Sequence, residues 1–453
     1  MVTDTIVAIA TPPGRGAIGV VRVSGPLVVA LTQAVCGRPL VPRVATHLSF
    51  LDENGQPIDE GLAIFFPGPH SYTGEDVLEL QGHGGVGVLS LLLNRCLGFV
   101  PSSGRMRMAE PGEFTQRAFL HDKLDLAQAE SVADLIDAGT ERAARSALAS
   151  LQGTFSQLIS DLQNRLIDAR MRVEACLDFP EEDIPFIERE GVAQRLSDIL
   201  AVLTQVHDSA SRGAVLREGL RVVLVGAPNV GKSSLLNALA EQDVALVTAI
   251  AGTTRDRIVQ EISVDGVPMH VIDTAGLRDT SDEVERLGIA RTWQEVQRSQ
   301  VVVLLRDATG AVPVDHALEQ KVVQQASSCR AVVRVWNKSD LALHVSQGKD
   351  ADAVHISAKT GLGLDHLRQR LLDLAGWTGD ASSGVFAARA RHLQALQRSR
   401  VACQEATQHL TAKELELLAE CLRQAHAALS EITGEFSSDD LLGEIFGRFC
   451  IGK

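Results

Sequence analysis

The run Gly226-Ala227-Pro228-Asn229-Val230-Gly231-Lys232-Ser233 has the spacing GxxxxGK[ST]. Glycines at those places let backbone N–H groups turn inward around a phosphate, and the positive end of a following helix adds to the attraction. In that arrangement Lys232 reaches the β and γ phosphates and the Ser233 hydroxyl ligates Mg²⁺. A glycine-rich turn that fits by chance is the plain alternative. Against it, an apolar run, Arg221 to Val225, precedes the motif, and a helix-like stretch, Ser234 to Ala240, follows.

Three further motifs follow in order. Asp273-Thr274-Ala275-Gly276 comes directly after the strand-like Val271-Ile272, where Asp273 can hold the Mg²⁺ shell and the Gly276 N–H can meet a γ-phosphate. Asn337-Lys338-Ser339-Asp340 follows a strand-like run ending at Trp336. The Asp340 carboxylate can accept paired hydrogen bonds from N1–H and the exocyclic amine of guanine, whereas adenine would leave it unsatisfied, so the motif selects GTP over ATP. Ser357-Ala358-Lys359 supplies contacts to the guanine carbonyl. Between the first two motifs, Gly252-Thr253-Thr254-Arg255-Asp256 is the segment expected to order with the γ-phosphate, with Thr254 completing the Mg²⁺ ligands beside Ser233. The predicted guanine-nucleotide site therefore draws on Asn229 to Ser234, Thr248 to Thr254, Asp273 to Gly276, Asn337 to Asp340 and Ser357 to Lys359, and it predicts a GTP hydrolase in which Lys232 is catalytic.

The position after DxxG, where many small GTPases carry a water-orienting glutamine, is Leu277, which cannot polarise water. The acidic run Asp282-Glu283-Val284-Glu285 offers substitutes, and a solvated helix start explains it equally well. The phosphoryl charge also needs a counter-charge. An arginine finger is one source; an amide oxygen of Asn229 on a monovalent cation, with carbonyls near Thr248 and Ile250, is another.

The elements that must position these groups are legible as texture. A chain of 453 residues, 45% hydrophobic and 22% charged, has the length and balance for about three packed domains. Its formal charge of −14 argues against coating nucleic acid through a broad basic face. Seven scattered cysteines without CxxC pairing indicate neither a disulfide framework nor a zinc site. With no signal sequence and no apolar run of roughly 18 residues, the expectation is a cytoplasmic protein.

Short β-like runs at Thr5 to Ala10, Ile18 to Val23, Gly61 to Phe66 and Asp76 to Leu80 predict an α+β domain over residues 1–120. From Leu148 through Leu151, Phe155, Leu158, Leu162, Leu166, Ala169, Val173 and Cys176 the apolar spacing predicts one long helix ending near Phe179-Pro180. A second carries Val192, Leu196, Ile199, Leu203 and Val206. Runs at Met269 to Ile272, Val301 to Leu305 and Ala331 to Trp336, separated by helical stretches, predict a parallel sheet. Helical texture returns through Leu393, Leu410 and Leu429. The fold class is thus multidomain: an α+β N-terminal domain, an α-helical central domain in parts 121–215 and 378–453, and an inserted α/β P-loop (Ras-like) G domain over 216–377. Gly14-x-Gly16-x-x-Gly19 fits a dinucleotide fingerprint formally but runs into the β-like Val20 to Val23, and is a glycine turn.

Together with Thr11-Pro12-Pro13-Gly14-Arg15-Gly16, Tyr72-Thr73-Gly74-Glu75-Asp76, Pro111-Gly112-Glu113-Phe114-Thr115, Asp122-Lys123-Leu124-Asp125-Leu126 and the terminal Cys450-Ile451-Gly452-Lys453, these motifs make the whole chain resemble the MnmE (TrmE) family of tRNA-modification GTPases. The resemblance implies an N-terminal domain that dimerises and binds 5-formyl- or methylene-tetrahydrofolate, and K⁺-stimulated hydrolysis. It implies K⁺ ligands at Asn229, Thr248, Ile250 and Thr253, Mg²⁺ ligands at Ser233 and Thr254, and a water-orienting Glu285. For folate it implies contacts from Arg22, Glu79, Lys123 and Lys453, which by residue type alone read as ordinary surface charges. Cys450 reads either as a chemically active thiol or as a small buried residue, the second being the expectation. The implied function is modification of C5 of the wobble uridine of certain tRNAs, as a homodimer in a hetero-oligomer with the FAD-containing MnmG. A pure recruitment switch and an rRNA-binding assembly factor are the rivals; folate binding and K⁺-dependent turnover would argue against the first, and tight rRNA binding without tRNA would argue for the second.

Overall fold

The computed structural model describes residues 4–99, 104–178, 191–240, 259–273, 293–326, 329–342, 352–377, 385–435 and 439–452. The chain divides into two compact units, Met1–Ala133 with His426–Lys453, and Asp134–Ala425.

The first unit is built on β1 (Thr5–Ile9), β2 (Ile18–Ser24), α1 (Val28–Cys36), β3 (Thr46–Leu51), β4 (Pro57–Phe66), β5 (Val77–His83), α2 (Val86–Leu97), β6 (Met106–Met108) and α3 (Glu113–Leu120). Its six strands lie in the order β3-β4-β5-β2-β1-β6, with β1 and β6 parallel and the other pairs antiparallel. In β2 the pleat alternates: Val21 and Val23 are buried, while Val20 and Arg22 are half-buried on the opposite face. Val21, Val23, Leu78 and Leu80 pack beneath Leu31 and Val35 of α1 and Leu89 and Leu92 of α2. β1 is buried on both faces, because Ile6 and Ala8 meet Phe114 of α3. Gly14 and Gly16 precede β2, Gly19 lies within it and not in a turn, and none of the three opens a helix. A Cβ on Gly19 would stand 2.6 Å from Leu89, so the third glycine serves helix packing. The sequence reading misses β3 and β6: only Phe50 of β3 is buried, and β6 is three residues long, so neither carries a clear apolar alternation.

α4 (Leu126–Asp137) begins in this unit. Leu126 and Ala129 pack with Leu442, Ile445, Phe446 and Phe449 from the end of the chain. Gly112, at φ +68, permits that contact, since a Cβ there would stand 2.6 Å from the Phe446 carbonyl.

The second unit continues with α5 (Glu141–Leu151), α6 (Thr154–Asp178), α7 (Val192–Glu218), β7 (Leu220–Val225), α8 (Lys232–Ala240), β8 (Val259–Val264), β9 (Val267–Asp273), β10 (Val301–Asp307), α9 (His316–Gln325), β11 (Ala331–Asn337), β12 (Val354–His355), α10 (Leu364–Ala375), α11 (Ala390–Ala412) and the start of α12 (Leu415–Thr433); from His426 the chain, with α13 (Asp439–Phe446), belongs to the first unit. The single stripe expected from Leu148 to Cys176 is two helices. Gly153 at φ +89 ends the first, which puts Leu148 at 42% exposure and shifts the second stripe onto Phe155, Ile159, Leu162, Leu166, Ala169 and Val173. The α7 stripe is buried at all five predicted positions. Helices from both sides of the α/β segment share one core: Phe155 stacks on Phe386 at 4.5 Å, and Gly213 of α7 admits the Phe386 carbonyl, which a Cβ would meet at 1.8 Å.

The second sheet has the order β12-β11-β10-β7-β9-β8. It is parallel except for β8 against β9. That hairpin, absent from the sequence reading, turns on Asp265 (φ +50) and Gly266 (φ +77), a two-residue Asp-Gly turn of the type hairpins favour. β7 is flanked by β9 and β10, and Val222 to Val225 are all buried.

Candidate functional site

In a doubly wound sheet, ligands gather beyond the carboxyl ends of the strands. β7, β10 and β11 end at Val225, Asp307 and Asn337, so the loops after them converge. The loop after β7 turns through Asn229 at φ +66 and Gly231 at φ +99, then enters α8 at Lys232. The left-handed region is costly for most side chains and tolerated best by Gly and Asn, which are the residues found there. Gly226 is required for a second reason: a Cβ would stand 2.4 Å from the Leu305 carbonyl.

The loop is gripped from behind by two successive side chains. Asn337 Nδ2 donates to the Val230 carbonyl at 2.8 Å, and Lys338 Nζ donates to the Asn229 carbonyl at 2.8 Å. In a planar trans peptide C=O and N–H point in opposite directions. Holding those two carbonyls therefore turns the N–H groups of Val230 and Gly231 the other way, the orientation that binding an anion in the loop requires. Asn337, 2% exposed, also accepts at Oδ1 from the Ala358 N–H at 2.9 Å, which ties the Ser357-Ala358-Lys359 segment to the phosphate loop. Ser357 is buried; its N–H donates to the Leu362 carbonyl at 2.8 Å and its hydroxyl accepts from the Thr360 N–H at 3.2 Å. Ser339 N–H donates to the Ile356 carbonyl at 3.0 Å. Asp340 and Lys359 are exposed beside this scaffold.

Lys232 Nζ donates to the carbonyls of Gly226 and Ala227 at 2.9 and 3.2 Å, so its ammonium spans the loop and can trade carbonyl for phosphate oxygens. Ser233 and Ser234, in the first turn of α8, are exposed. Asp273 closes β9 opposite Leu224 of β7. A serine hydroxyl and a carboxylate are hard oxygen donors, the chemistry Mg²⁺ takes. The structure thus brings together Asn229 to Ser234, Asn337 to Asp340 and Ser357 to Lys359, with Asp273 on the strand next to β7. Thr248, Ala249, Ile250, Ala251, Gly252, Thr253, Thr254, Thr274, Ala275, Gly276, Glu285 and Lys453 lie outside the described residues.

A second group lies in the first unit. Arg22 and Glu79 face each other across β2 and β5, with Arg22 Nε donating to Glu79 Oε1 at 3.0 Å. The Arg22 guanidinium lies 5.7 Å from the Tyr72 ring and 5.8 Å from the Phe114 ring. Tyr72 shares a 2.8 Å hydrogen bond with the Thr115 hydroxyl, and burial pushes its phenol above its ordinary value. Lys123 Nζ donates to the Pro69 carbonyl at 3.0 Å. Cys450 is exposed, contrary to the expectation of a small buried residue. Phe449 beside it fills the apolar position, and Ile451 bridges to Pro111, leaving Cys450 outside.

A family model for the MnmE helical domain matches residues 126–450, and one for the GTP-binding protein TrmE N-terminus matches residues 5–123. The tRNA modification GTPase MnmE of Bordetella parapertussis is 57% identical over 450 residues, covering 99% of each chain. The chain belongs to the MnmE family of tRNA modification GTPases. The MnmE protein of Ralstonia nicotianae is 56% identical over 461 residues, covering 100% of this chain and 97% of its own, and that of Acidovorax sp. is 55% identical over 465. A solved FeoB G-domain from Methanococcus jannaschii covers 35% of this chain and 97% of its own at 24% identity, with a TM-score of 0.27, and the assignment does not rest on it.

Membership in the MnmE family makes the chain a GTP hydrolase, with GTP and Mg²⁺ as its ligands. It also fixes the fold as multidomain, with an N-terminal α+β part, helices and an inserted P-loop module. No helix among the described residues is long and apolar enough to cross a membrane.

Two residues of this MnmE chain went unnoticed in the sequence. Asp307 Oδ2 accepts from Lys338 Nζ at 2.7 Å, and its Oδ1 accepts from the Thr309 N–H and hydroxyl at 2.9 and 2.6 Å. Burial raises the Asp307 carboxyl, but these donors outweigh it and hold it below the usual range. Tyr72 stands in the run Tyr72 to Asp76, where nothing in the sequence places it beside Arg22. A lone carboxylate ending an apolar strand was the available signal for Asp307; the aromatic neighbours of Arg22 had none, since Phe114 is 92 residues away in sequence.

Proposed function

We propose that this protein is a K⁺-stimulated GTPase which, with MnmG, modifies C5 of the wobble uridine of certain tRNAs, adding an aminomethyl or carboxymethylaminomethyl group built from a folate one-carbon unit. The observation that carries the reading is the near-complete match to MnmE proteins, 57% identity over 99% of the chain, joined to a loop whose carbonyls are held from behind by Asn337 and Lys338.

In this reading the N–H groups of Val230 and Gly231 bind phosphate oxygens, Lys232 neutralises charge developing between the β and γ phosphates, and Asp340 selects guanine. Ser233 and Thr254 hold Mg²⁺, which when bound supplies charge stabilisation at the phosphates. Asn229 offers its amide oxygen to K⁺, with Thr248, Ile250 and Thr253 completing the shell, and Glu285 orients water in place of the absent glutamine. Residues 1–120 form the folate-binding and dimerisation domain, 121–215 and 378–453 the helical domain, and 216–377 the G domain. Arg22, Glu79, Lys123 and Lys453 contact the folate: Glu79 suits the N–H edge of a pterin, and the cations suit a glutamyl tail. The protein acts in the cytoplasm as a homodimer that assembles with MnmG and tRNA, and an acidic chain of net charge −14 suits a partner that supplies much of the tRNA surface.

Nucleoside analysis of tRNA from cells lacking this chain tests the reading. Loss of the C5 substituent from wobble uridines is expected; fully modified wobble uridines would overturn the tRNA function and leave the GTPase assignment standing.

A further inference from the structure

The Asp307 side chain is 0% exposed, whereas its partner Lys338 retains 32%. A fully desolvated carboxylate is a costly choice at the end of a strand that otherwise reads Val301 to Leu305, and packing does not call for it. Both its oxygens are used, one by Lys338 and one by Thr309. β10 and β11 are in register there, so Asp307 pairs with Asn337, the residue before Lys338. Lys338 itself sits at φ +64, a conformation a lysine adopts only when its surroundings hold it. Its ammonium is shared between Asp307 at 2.7 Å and the Asn229 carbonyl at 2.8 Å, and Asn229 is likewise left-handed, at φ +66. The chain of contacts Thr309, Asp307, Lys338, Asn229 therefore runs from the end of β10 into the phosphate loop. Asp307 ends as the fixed point of that chain because it cannot move without uncovering a charge.

We propose that Asp307 is a positioning residue of the nucleotide site, acting through Lys338 to fix the Asn229 peptide, so that it governs retention of guanine nucleotide and the response to monovalent cation without touching either. The proposal rests on the reading of residues 229–233 and 337–340 as the nucleotide site. With the carboxylate in place the lysine ammonium is aimed at one carbonyl. Without it, the ammonium is drawn to solvent or to phosphate, and the Asn229 peptide is free to rotate. The guanine-reading carboxylate of Asp340 lies on the far side of Ser339 and should keep its preference.

The test uses the full-length protein with fluorescent GDP. For Asp307→Asn, GDP release should quicken about tenfold, the scale of one charge-assisted hydrogen bond. The K⁺ concentration for half-maximal hydrolysis should rise, and guanine should stay preferred over xanthine. Thr309→Ala, which keeps the charge and the backbone N–H and removes only the hydroxyl donor to Oδ1, should move both quantities the same way by less, and it decides the matter if Asp307→Asn does not fold. In a Lys338→Met background, Asp307→Asn should add nothing, because the path through the lysine is already cut. Wild-type GDP release and K⁺ response in both folded variants, or a full Asp307→Asn effect without Lys338, would overturn the proposal. A wild-type protein that retains no GDP would instead overturn the nucleotide reading beneath it.

Discussion

A Cβ on Gly231 would lie 2.3 Å from Asn337 Nδ2, the atom that holds the Val230 carbonyl at 2.8 Å. The two motifs, 106 positions apart in sequence, are thus fitted so closely that Gly231 leaves no room for an added carbon. Gly231→Ala faces this clash and a φ of +99 together. It should abolish measurable GTP binding, followed by titration with a fluorescent nucleotide, while the far-ultraviolet circular dichroism remains that of the wild type.

Asn337→Ala removes a buried amide that serves the Val230 carbonyl and the Ala358 N–H at once. Each buried group left unsatisfied costs about 1–3 kcal/mol. GTP affinity should therefore fall by roughly one to two powers of ten. Equilibrium titration checks this, and an affinity within threefold of wild type would show that the amide is not the brace described.

Asp340→Asn should weaken GTP and admit xanthosine triphosphate, since an amide presents a donor where the exchanged base edge presents an acceptor. The exposed position of Asp340 means the fold should be untouched. Competition between the two triphosphates reads the change directly, and an unaltered guanine preference would remove Asp340 from base recognition.

The first unit should lose stability in acid. Arg117, 1% exposed, bonds Asp4, Glu75 and Glu113, and Arg107 bonds Asp4 and Glu113. Burial raises the carboxyls of Asp4 and Glu113, yet the hydrogen bonds and charge of Arg107 and Arg117 outweigh it and leave both below their ordinary values. A depressed carboxylate stabilises the fold above its unfolded pKa, and that contribution is lost as pH falls through the folded value. Stability should hold steady near neutrality and decline below about pH 4. Arg107→Met should be less stable at pH 7 and show a shallower acid decline, both read by denaturant unfolding across pH.

Phe449→Ala should destabilise the first unit by about 3–5 kcal/mol, the usual cost of removing a buried phenylalanine. Phe449 is 7% exposed and packs with Phe446, at 5.6 Å between rings, against Leu126 and Ala129. A thermal melt of the full chain should show an earlier transition, and an unshifted one would mean that the end of the chain is not part of that core.

The sequence alone determined the local chemistry. Gly226 to Ser233 must be a tight loop before a helix, because the glycines, Asn229 and the flanking apolar and helical runs leave few alternatives. The stripe from Val192 to Val206 had to be buried for the same local reason. The tertiary structure decided everything that depends on distant residues meeting. It broke the Leu148 to Cys176 stripe at Gly153, placed Tyr72 and Phe114 around Arg22, left Cys450 outside its cluster, and set Asp307 behind Lys338. Periodicity and spacing report on neighbours along the chain. A buried ion pair across a sheet is fixed by strand order and register, which are properties of the packed whole and leave no mark in any short window of sequence.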